Sequence, residues 1–198
     1  MTEEKLETGA DLLFRTLNYI APLPPELAAH FRDHLRTRKV PKKHPLLSPG
    51  EVGRHIYFIV SGFTRAYFRD RHGDEHTCWF MGTGDVMIPV HSFFTQQPSQ
   101  EYLETLSETT LLSLTWEEVQ GIYAKFPAFN FHGRILTEKY YILAEERAIL
   151  LRTKRPTERF ALLLEQHPGI MTKATNREVA SFLGINEATL SRIRSARV

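Results

Sequence analysis

The chain has 198 residues, 42% of them apolar and 24% charged, which is typical of a globular protein. No apolar run approaches the roughly 20 residues needed to span a bilayer. The charged segment Met1–Lys5 lacks the apolar core of a secretory signal, so we expect a cytoplasmic location and no membrane association. The single cysteine, Cys78, excludes an internal disulfide and a clustered thiolate site for zinc or iron–sulfur, and its apolar surroundings predict a buried, inert thiol.

The formal net charge of +2 is unevenly distributed along the chain. Residues 152–198 contain nine Lys or Arg and four Asp or Glu, a net charge of +5, whereas residues 1–151 carry a net charge of −3. A positive C-terminal quarter on a slightly acidic body favours a polyanion partner for that quarter alone. A chance distribution of a few charges is the alternative.

The first predicted elements are two short helices within residues 11–36. Apolar residues recur there at helical spacing, and Pro22 and the pair Pro24-Pro25 interrupt the pattern. From about residue 37 the sequence changes to short runs rich in β-branched and aromatic residues, separated by glycine-containing turns. Short strands at this spacing predict an antiparallel β-roll, or jelly roll, over residues 37–115.

The clearest strands of this roll are His55–Val60 and Phe63–Phe68. The apolar segment Val86–Phe94 is compatible with a short helix between strands. Tyr102–Leu106 and Leu111–Leu114 then have the composition of closing strands.

A long helix is predicted after the roll, over Phe129–Arg152, preceded by a shorter helix that Thr115 caps and Pro127 ends. At 1.5 Å per residue the long helix would extend about 36 Å. Of its two apolar stripes, one can pack on the parent domain while the other meets a partner helix. The stripe that we assign to a homodimer interface consists of Leu136, Tyr140, Leu143, Arg147 and Leu150. The second stripe repeats every seven residues at Ile135, Ile142 and Ile149, and burial of both stripes in one core is the alternative.

Thr153–Pro156 interrupts the long helix and predicts a hinge. Three helical segments are expected after it, at Glu158–Gln166, Asn176–Leu183 and Glu187–Ala196. The predicted organisation is therefore a β-roll domain with N-terminal helices over residues 1–127, a dimerisation helix over residues 128–153 and a helix-turn-helix domain over residues 154–198.

The segment around residues 175–194 carries the most functional information. Thr175 and Glu178 form a capping-box pattern at the start of a helix, and Gly184 can take the positive φ needed to leave that helix sharply. Asn186 caps a second helix, which Leu190 and its apolar partner Ile193 attach to the core.

This arrangement leaves small, polar and basic groups on the outer face of the second helix, as a helix that enters the DNA major groove requires. The predicted contacts to double-stranded DNA are Arg177, Glu187, Ala188, Thr189, Ser191, Arg192 and Arg194. An ordinary helical hairpin could have the same caps and glycine, and is the alternative.

The chain as a whole resembles the Crp/Fnr family of bacterial transcription regulators. The most specific matches are Leu183-Gly184-Ile185 and Thr189-Leu190-Ser191-Arg192, with others at Gly50-Glu51, Tyr57–Gly62, Gly84-Asp85 and Thr157–Ala161. The resemblance implies an α+β protein with a cyclic-nucleotide-binding-type β-roll, a long dimerisation helix and a C-terminal winged helix-turn-helix. It also implies a homodimer that binds pseudo-palindromic promoter sites and contacts RNA polymerase.

Individual positions refine what this resemblance implies. Arg192 matches the arginine that family members commonly place on a guanine. Glu187 and Ala188 stand where the catabolite-activator type carries an arginine and a glutamate, so its half-site sequence does not transfer.

The effector site departs further from the family. Gly84-Asp85 matches the opening of the phosphate-binding loop, but Ser99 and Gln100 stand where an arginine and a serine are expected. No arginine lies between Arg71 and Arg134, so a cyclic phosphate would lack its bidentate partner. We expect an unidentified small effector other than cAMP, with candidate contacts at Gly84, Asp85, Val86, Met87, Ser99 and Gln100.

Two other functional classes were weighed. A β-roll enzyme of the cupin type needs a His-x-His pair, whereas His72 and His76 flank a turn at a different spacing and are expected to be solvated. No catalytic motif is present, so we expect no enzyme and no metal cofactor. A ligand-binding or protein-interaction module that does not bind DNA is the main alternative to a DNA-binding regulator.

Overall fold

The computed structural model describes residues 3–196, and side chains from residue 9 onward. The outermost residues of the first and last predicted domains therefore lie outside the described residues. Two helices precede the roll, α1 (Glu3–Ile20) and α2 (Pro25–His34). Pro25 occupies the first turn of α2. Because the N–H groups of that turn have no acceptor within the helix, the missing N–H of proline costs no hydrogen bond there. No helix in the described part of the chain is both long and apolar enough to cross a membrane.

The strands form two four-stranded antiparallel sheets that face each other as a β-roll. Sheet 1 has the order β1-β8-β3-β6, and sheet 2 has the order β2-β7-β4-β5. The strands are β1 (Arg36–Val40), β2 (Pro45–Leu47), β3 (His55–Ser61), β4 (Phe63–Arg69), β5 (Glu75–Gly82), β6 (Val86–Met87), β7 (Tyr102–Thr105) and β8 (Thr109–Thr115).

The alternation of side chains along β3 divides the core into two layers. Tyr57 and Ile59 point into the roll, where they pack in one apolar cluster with Leu103 and Leu111. Phe58 and its neighbours on the other face pack in a second cluster with α1, α2 and the helices that follow the roll. The N-terminal helices therefore cover the outer face of sheet 1.

Two short helices interrupt or follow the strands. The segment predicted as one helix over Val86–Phe94 is strand β6 followed by α3 (Val90–Thr95), because Pro89 separates the two. Helix α4 (Trp116–Lys125) begins at a complete capping box between Thr115 and Glu118, as the sequence predicts.

The long helix α5 (Phe129–Thr153) leaves the roll and leads to four C-terminal helices. These are α6 (Pro156–Gln166), α7 (Ile170–Lys173), α8 (Asn176–Leu183) and α9 (Glu187–Ser195). Helix α7 was not predicted, since its four residues are too few for a periodic pattern. The α+β fold class is confirmed, although every strand in the described residues lies within Arg36–Thr115, so the described C-terminal part has no strands of a wing.

Gly62 joins β3 to β4 under two constraints that only glycine meets. Its φ is +108°, and an added Cβ would lie 2.7 Å from the Glu108 carbonyl oxygen and touch Thr109 Oγ1. Gly73, in the β4–β5 turn, has a similar φ of +84° but open space around a Cβ. Substituting Gly62 and Gly73 in turn therefore separates the cost of backbone strain at a positive φ from the cost of steric overlap.

We therefore expect Gly73→Ala to cost about 1–3 kcal/mol of unfolding free energy through strain alone. Gly62→Ala should cost about 1–3 kcal/mol more, because the strand junction must open around the methyl group. Urea unfolding of the two variants measures the difference. Equal urea midpoints for the two variants would show that the β3–β4 junction adjusts to the added methyl group at no cost in stability.

Candidate functional site

Helix α8 is the first helix of the predicted helix-turn-helix, and its ends form as the sequence predicts. Thr175 Oγ1 accepts from the Glu178 backbone N–H at 3.3 Å, and the Glu178 carboxylate accepts from the Thr175 N–H at 2.8 Å. Gly184 ends the helix at a φ of +65°. Ile185 follows it, donating its N–H to the Ala180 carbonyl at 3.0 Å.

Helix α9 begins at Asn186, whose side-chain oxygen accepts from the Thr189 N–H at 2.8 Å. Leu190 and Ile193 are buried against α6, α7 and α8. The predicted DNA contacts on α9 lie on the opposite, outward face, half-buried at Thr189 and exposed at Glu187, Ala188, Ser191, Arg192 and Arg194. Helix α9 therefore has an anchored apolar side and a free polar side.

The arginines of this surface are held only by exposed polar contacts. Arg192 donates to Thr189 Oγ1 at 3.2 Å, and Arg194 donates to Asn176 Oδ1 at 2.8 Å. Arg177, at the start of α8, is exposed and lies 3.4 Å from Asp74 of the β4–β5 turn. Such contacts contribute little to stability, so these guanidinium groups can exchange them for a phosphate or a base.

The side of α8 away from α9 packs against strand β5, the outer strand of sheet 2. The Ser181 hydroxyl accepts from the Thr77 N–H at 2.8 Å and donates to the Glu75 carbonyl at 2.6 Å. These bonds satisfy backbone groups that an edge strand otherwise leaves open. The helix-turn-helix is thus docked on the roll of its own chain.

Arg147 of α5 completes this docking. Its guanidinium lies 3.6 Å from the centre of the Phe182 ring, donates to the Phe182 carbonyl at 2.6 Å, and reaches the Thr77 carbonyl at 3.4 Å. Burial without a neighbouring carboxylate lowers the pKa of Arg147 to about 10, so it remains charged at neutral pH.

A cluster of charged residues lies beside this contact, on the outer face of sheet 2. Arg65, whose side chain is 3% exposed, donates to Glu104 at 2.6 Å and to Glu75 at 2.6 Å. Lys43 donates to Glu178 of α8 at 2.5 Å, and Glu178 lies 3.7 Å from Arg65. Burial alone would raise the pKa of Glu178, but the hydrogen bond from Lys43 and the neighbouring charges hold it below its ordinary value.

Three of the five residues predicted to face a partner helix are engaged by their own chain. Leu136 and Tyr140 pack on the core under α1 and α2, and Tyr140 Oη accepts from the Val86 N–H at 2.7 Å. Burial raises the pKa of Tyr140 to about 12. Arg147 contacts α8 and β5, as described above. Leu143 and Leu150 are half-buried.

The exposed stripe of α5 is instead the one that the sequence assigned to the parent domain. Ile142 and Ile149 are 53% and 52% exposed, and Tyr141 is 71% exposed. This division has a physical reason: within the single chain α5 covers both the roll and α8, and the face with Tyr140 and Arg147 contacts both.

The predicted effector residues do not converge on one site. Gly84, with a φ of +90°, and Asp85 form a tight turn in which the Asp85 carboxylate accepts from the Gly82 N–H at 2.8 Å. Met87 is fully buried inside the roll, Ser99 bonds the Glu101 N–H, and Gln100 is exposed. Of the six, Val86 lines the apolar cavity described next.

This cavity, of about 350 Å³, lies between α5 and the roll and extends under α1 and α2. Its walls are aliphatic and aromatic, with Glu101 as the one carboxylate in the lining. Sequence reasoning missed it, because residues far apart in the chain, from Leu13 to Ala144, form its walls.

The remaining chemically reactive residues do not form a site. Cys78 is half-buried rather than buried, and burial raises the pKa of its thiol. His72 and His76 are exposed at the β4–β5 turn, where His76 lies 3.1 Å from Asp70. The residues that the structure describes contain no group of three His, Cys, Asp or Glu side chains placed to hold a metal ion.

Other functional residues missed from the sequence are Ser181 and Phe182. Phe182 lies off the apolar face formed by Val179, Ala180 and Leu183, and is nevertheless buried. A large aromatic residue outside the expected apolar face is the signal that could have indicated a second contact surface on α8.

The described residues therefore form a β-roll that one long helix joins to a helix-turn-helix. Residues 37–126 match the family model of the cyclic nucleotide-binding domain. The cyclic AMP receptor protein of Thermus thermophilus is 23% identical over 178 residues, which cover 88% of this chain and 82% of that relative.

Two solved structures share the fold at lower identity. FixK2 from Bradyrhizobium japonicum has a TM-score of 0.69 at 19% identity, covering 82% of this chain and 83% of its own. The c-di-GMP-responsive regulator CLP of Xanthomonas campestris has a TM-score of 0.66 at 18% identity, covering 85% and 88%. The matched domain and the similarity over most of the chain make this protein similar to transcription regulators of the Crp/Fnr family.

The ion pairs of Glu178 predict a pH-dependent contribution to stability. Because its folded pKa lies below the ordinary value of 4.5, this contribution is present above about pH 4.5 and is lost as the pH falls through the folded value. We expect Glu178→Gln to lower the unfolding free energy by about 1–3 kcal/mol at neutral pH, and the difference from wild type to shrink as the pH falls below about 4.5.

Urea unfolding across this pH range measures the difference. Glu165→Gln is the control, since Glu165 is an exposed residue of α6 that makes no ion pair with other described residues. A Glu178→Gln difference that stays constant with pH would show that the amide, rather than the lost charge, causes the effect.

Proposed function

We propose that the protein is a homodimeric DNA-binding regulator that recognises a pseudo-palindromic promoter site through α9. The observation that carries this proposal is the division of α9 into two faces. Leu190 and Ile193 fix the helix to its domain, while Arg192 and Arg194 are exposed and free of carboxylate partners among the described residues. A helix so mounted can enter a major groove without rearranging its own support.

Charge supports the same conclusion. Residues 152–198 carry a net charge of +5, and Arg177 lies at the start of α8, where helix-turn-helix proteins contact the backbone. Its contact with Asp74 is long, at 3.4 Å, and exposed. We assign Arg177 to a phosphate contact, and we assign Arg192 and its neighbours on α9 to base edges.

We propose three functional units with the bounds 1–127, 128–153 and 154–198. The third unit shares a core with the first, because Phe63 and Phe80 of the roll pack with Phe182 and its neighbours, and Phe129 of the second unit packs in the core under α1 and α2. The shared core makes the position of the helix-turn-helix dependent on the roll and on α5. An effector that moves α5 would therefore change how two copies of α9 are presented.

The proposed effector is not a cyclic nucleotide. The Asp85 carboxylate is used within its own turn, and Arg65 is paired with Glu104 on the outer face of sheet 2. No cation in the described part of the chain lines the apolar cavity to balance a phosphate.

The DNA-binding proposal is tested with fluorescent duplex fragments selected from a random pool. We expect the association constant to fall by about 10³-fold or more between roughly 50 and 200 mM salt, because phosphate contacts release counterions. Arg192→Ala should weaken binding to the selected site by about 1–3 kcal/mol and relax specificity at one base pair.

Arg134→Ala is the control and should leave affinity unchanged, because Arg134 is an exposed arginine of α5 that pairs with Glu138 of the same helix. Affinity that does not vary with salt would favour a ligand-binding or interaction module that does not bind DNA. Equal weakening on all sequences would assign Arg192 to a phosphate.

The proposed dimer interface is the exposed stripe of α5. Ile142 and Ile149 are seven residues apart and half-exposed, which is the spacing at which two long helices pair. We expect Ile142→Glu to shift the sedimentation coefficient from dimer to monomer, because the seam would enclose an unpaired charge.

Ala124→Glu, at an exposed position of α4, should remain dimeric. A dimer that survives Ile142→Glu would place the interface on another surface of the chain.

A further inference from the structure

The apolar cavity under α5 has the size of a small-molecule site. A cavity of roughly 150 Å³ holds one benzene ring, so its volume of about 350 Å³ accommodates two rings. Phe58, Trp79, Phe93 and Tyr140 give it aromatic walls. Lining of this kind is typical of pockets that bury most of a ligand surface.

The charges around this cavity select against anions. No lysine, arginine or histidine is present in the lining, and its single carboxylate, Glu101, makes no hydrogen bond or ion pair with another described residue through that group. A phosphate or sulfonate would lose its hydration without gaining a counter-charge. An uncharged molecule meets no such cost.

Two polar groups can orient a ligand inside. Burial raises the pKa of Glu101 above its ordinary value. Tyr140 Oη accepts from the Val86 N–H, and its own proton has no acceptor among the described residues. The Tyr140 hydroxyl therefore offers a donor to an acceptor atom of a ligand.

The entrance is also apolar. Val90 and Phe94 of α3 are 60% and 54% exposed, Tyr141 of α5 is 71% exposed, and all three line the cavity. Large apolar side chains exposed together mark a surface that another molecule covers.

We propose that this cavity binds an uncharged, mainly aromatic molecule of about two rings carrying a hydrogen-bond acceptor, and that this class is the effector of the regulator. The inference rests on the proposed sensor role and adds the ligand class. Ala144 lines the cavity one helical turn before Arg147, which holds Phe182 of α8. A ligand therefore contacts the same helix that positions the helix-turn-helix.

The test compares two fluorescent probes with the same two-ring skeleton and the same ether oxygen as acceptor, neutral 2-methoxynaphthalene and its sulfonated analogue, 6-methoxynaphthalene-2-sulfonate. We expect one neutral probe to bind per chain and the sulfonate to bind at least about tenfold more weakly. Cyclic AMP should not displace the neutral probe. Equal binding of both probes, or displacement by cyclic AMP, would overturn the proposal.

Two variants locate the probe. Ala144→Trp fills an exposed part of the cavity wall and should weaken the neutral probe at least about tenfold, whereas Ala124→Trp on α4, outside the cavity, should not. Glu101→Arg should shift the preference towards the sulfonate, because it supplies a counter-charge. Unchanged binding in Ala144→Trp would place the probe elsewhere on the surface and overturn the assignment.

Probe binding needs no DNA, so the two proposals can fail separately. Arg192→Ala should bind the probe like the wild type, and loss of DNA binding with probe binding intact would contradict only the regulator function. Probe binding that appears only in the Ile142→Glu monomer would show that a partner side chain fills the cavity, and the ligand proposal would then be wrong.

Discussion

Strand β5 is the last strand of sheet 2, so the backbone groups along its outer edge have no neighbouring strand to bond. An exposed edge of this kind invites pairing with other chains. Here α8 covers it, with Ser181 bonding the Thr77 N–H and the Glu75 carbonyl. Because α8 is also the first helix of the helix-turn-helix, the same contact that closes the sheet fixes the proposed DNA-binding surface relative to the roll.

Arg147 ties the third part of the molecule to this edge. A guanidinium is weakly hydrated and stacks on aromatic rings, so it tolerates burial between Phe182 and two backbone carbonyls without a carboxylate. Since Ala144, on the preceding turn of α5, lines the apolar cavity, one rigid helix contacts the cavity and the helix-turn-helix. Coupling between them needs no further element, only two positions of α5 that ligand binding favours unequally.

The buried charged cluster around Arg65 and the apolar cavity lie on opposite sides of sheet 2. Arg65 and its carboxylate partners lie on the outer face towards α8, while the cavity side has Glu101 and apolar walls. Among the described residues, the lining of this cavity contains no lysine, arginine or histidine to balance a phosphate. A common scaffold with a different lining is how one fold serves different ligands.

The sequence by itself determined the elements with strong local signals: the strands of the roll, the capping boxes at Thr115 and Thr175, the corner at Gly184 and the two-faced helix α9. Each depends on neighbours within a few residues, which a pattern records directly. The tertiary structure alone decided which stripe of α5 is exposed, where Arg147 binds, and that the roll and α5 enclose an apolar cavity. These features depend on contacts between residues far apart in the chain, such as Arg147 with Phe182 and Arg65 with Glu178. Periodicity shows that a helix has two apolar stripes, but only the surfaces packed against it decide which of them is buried.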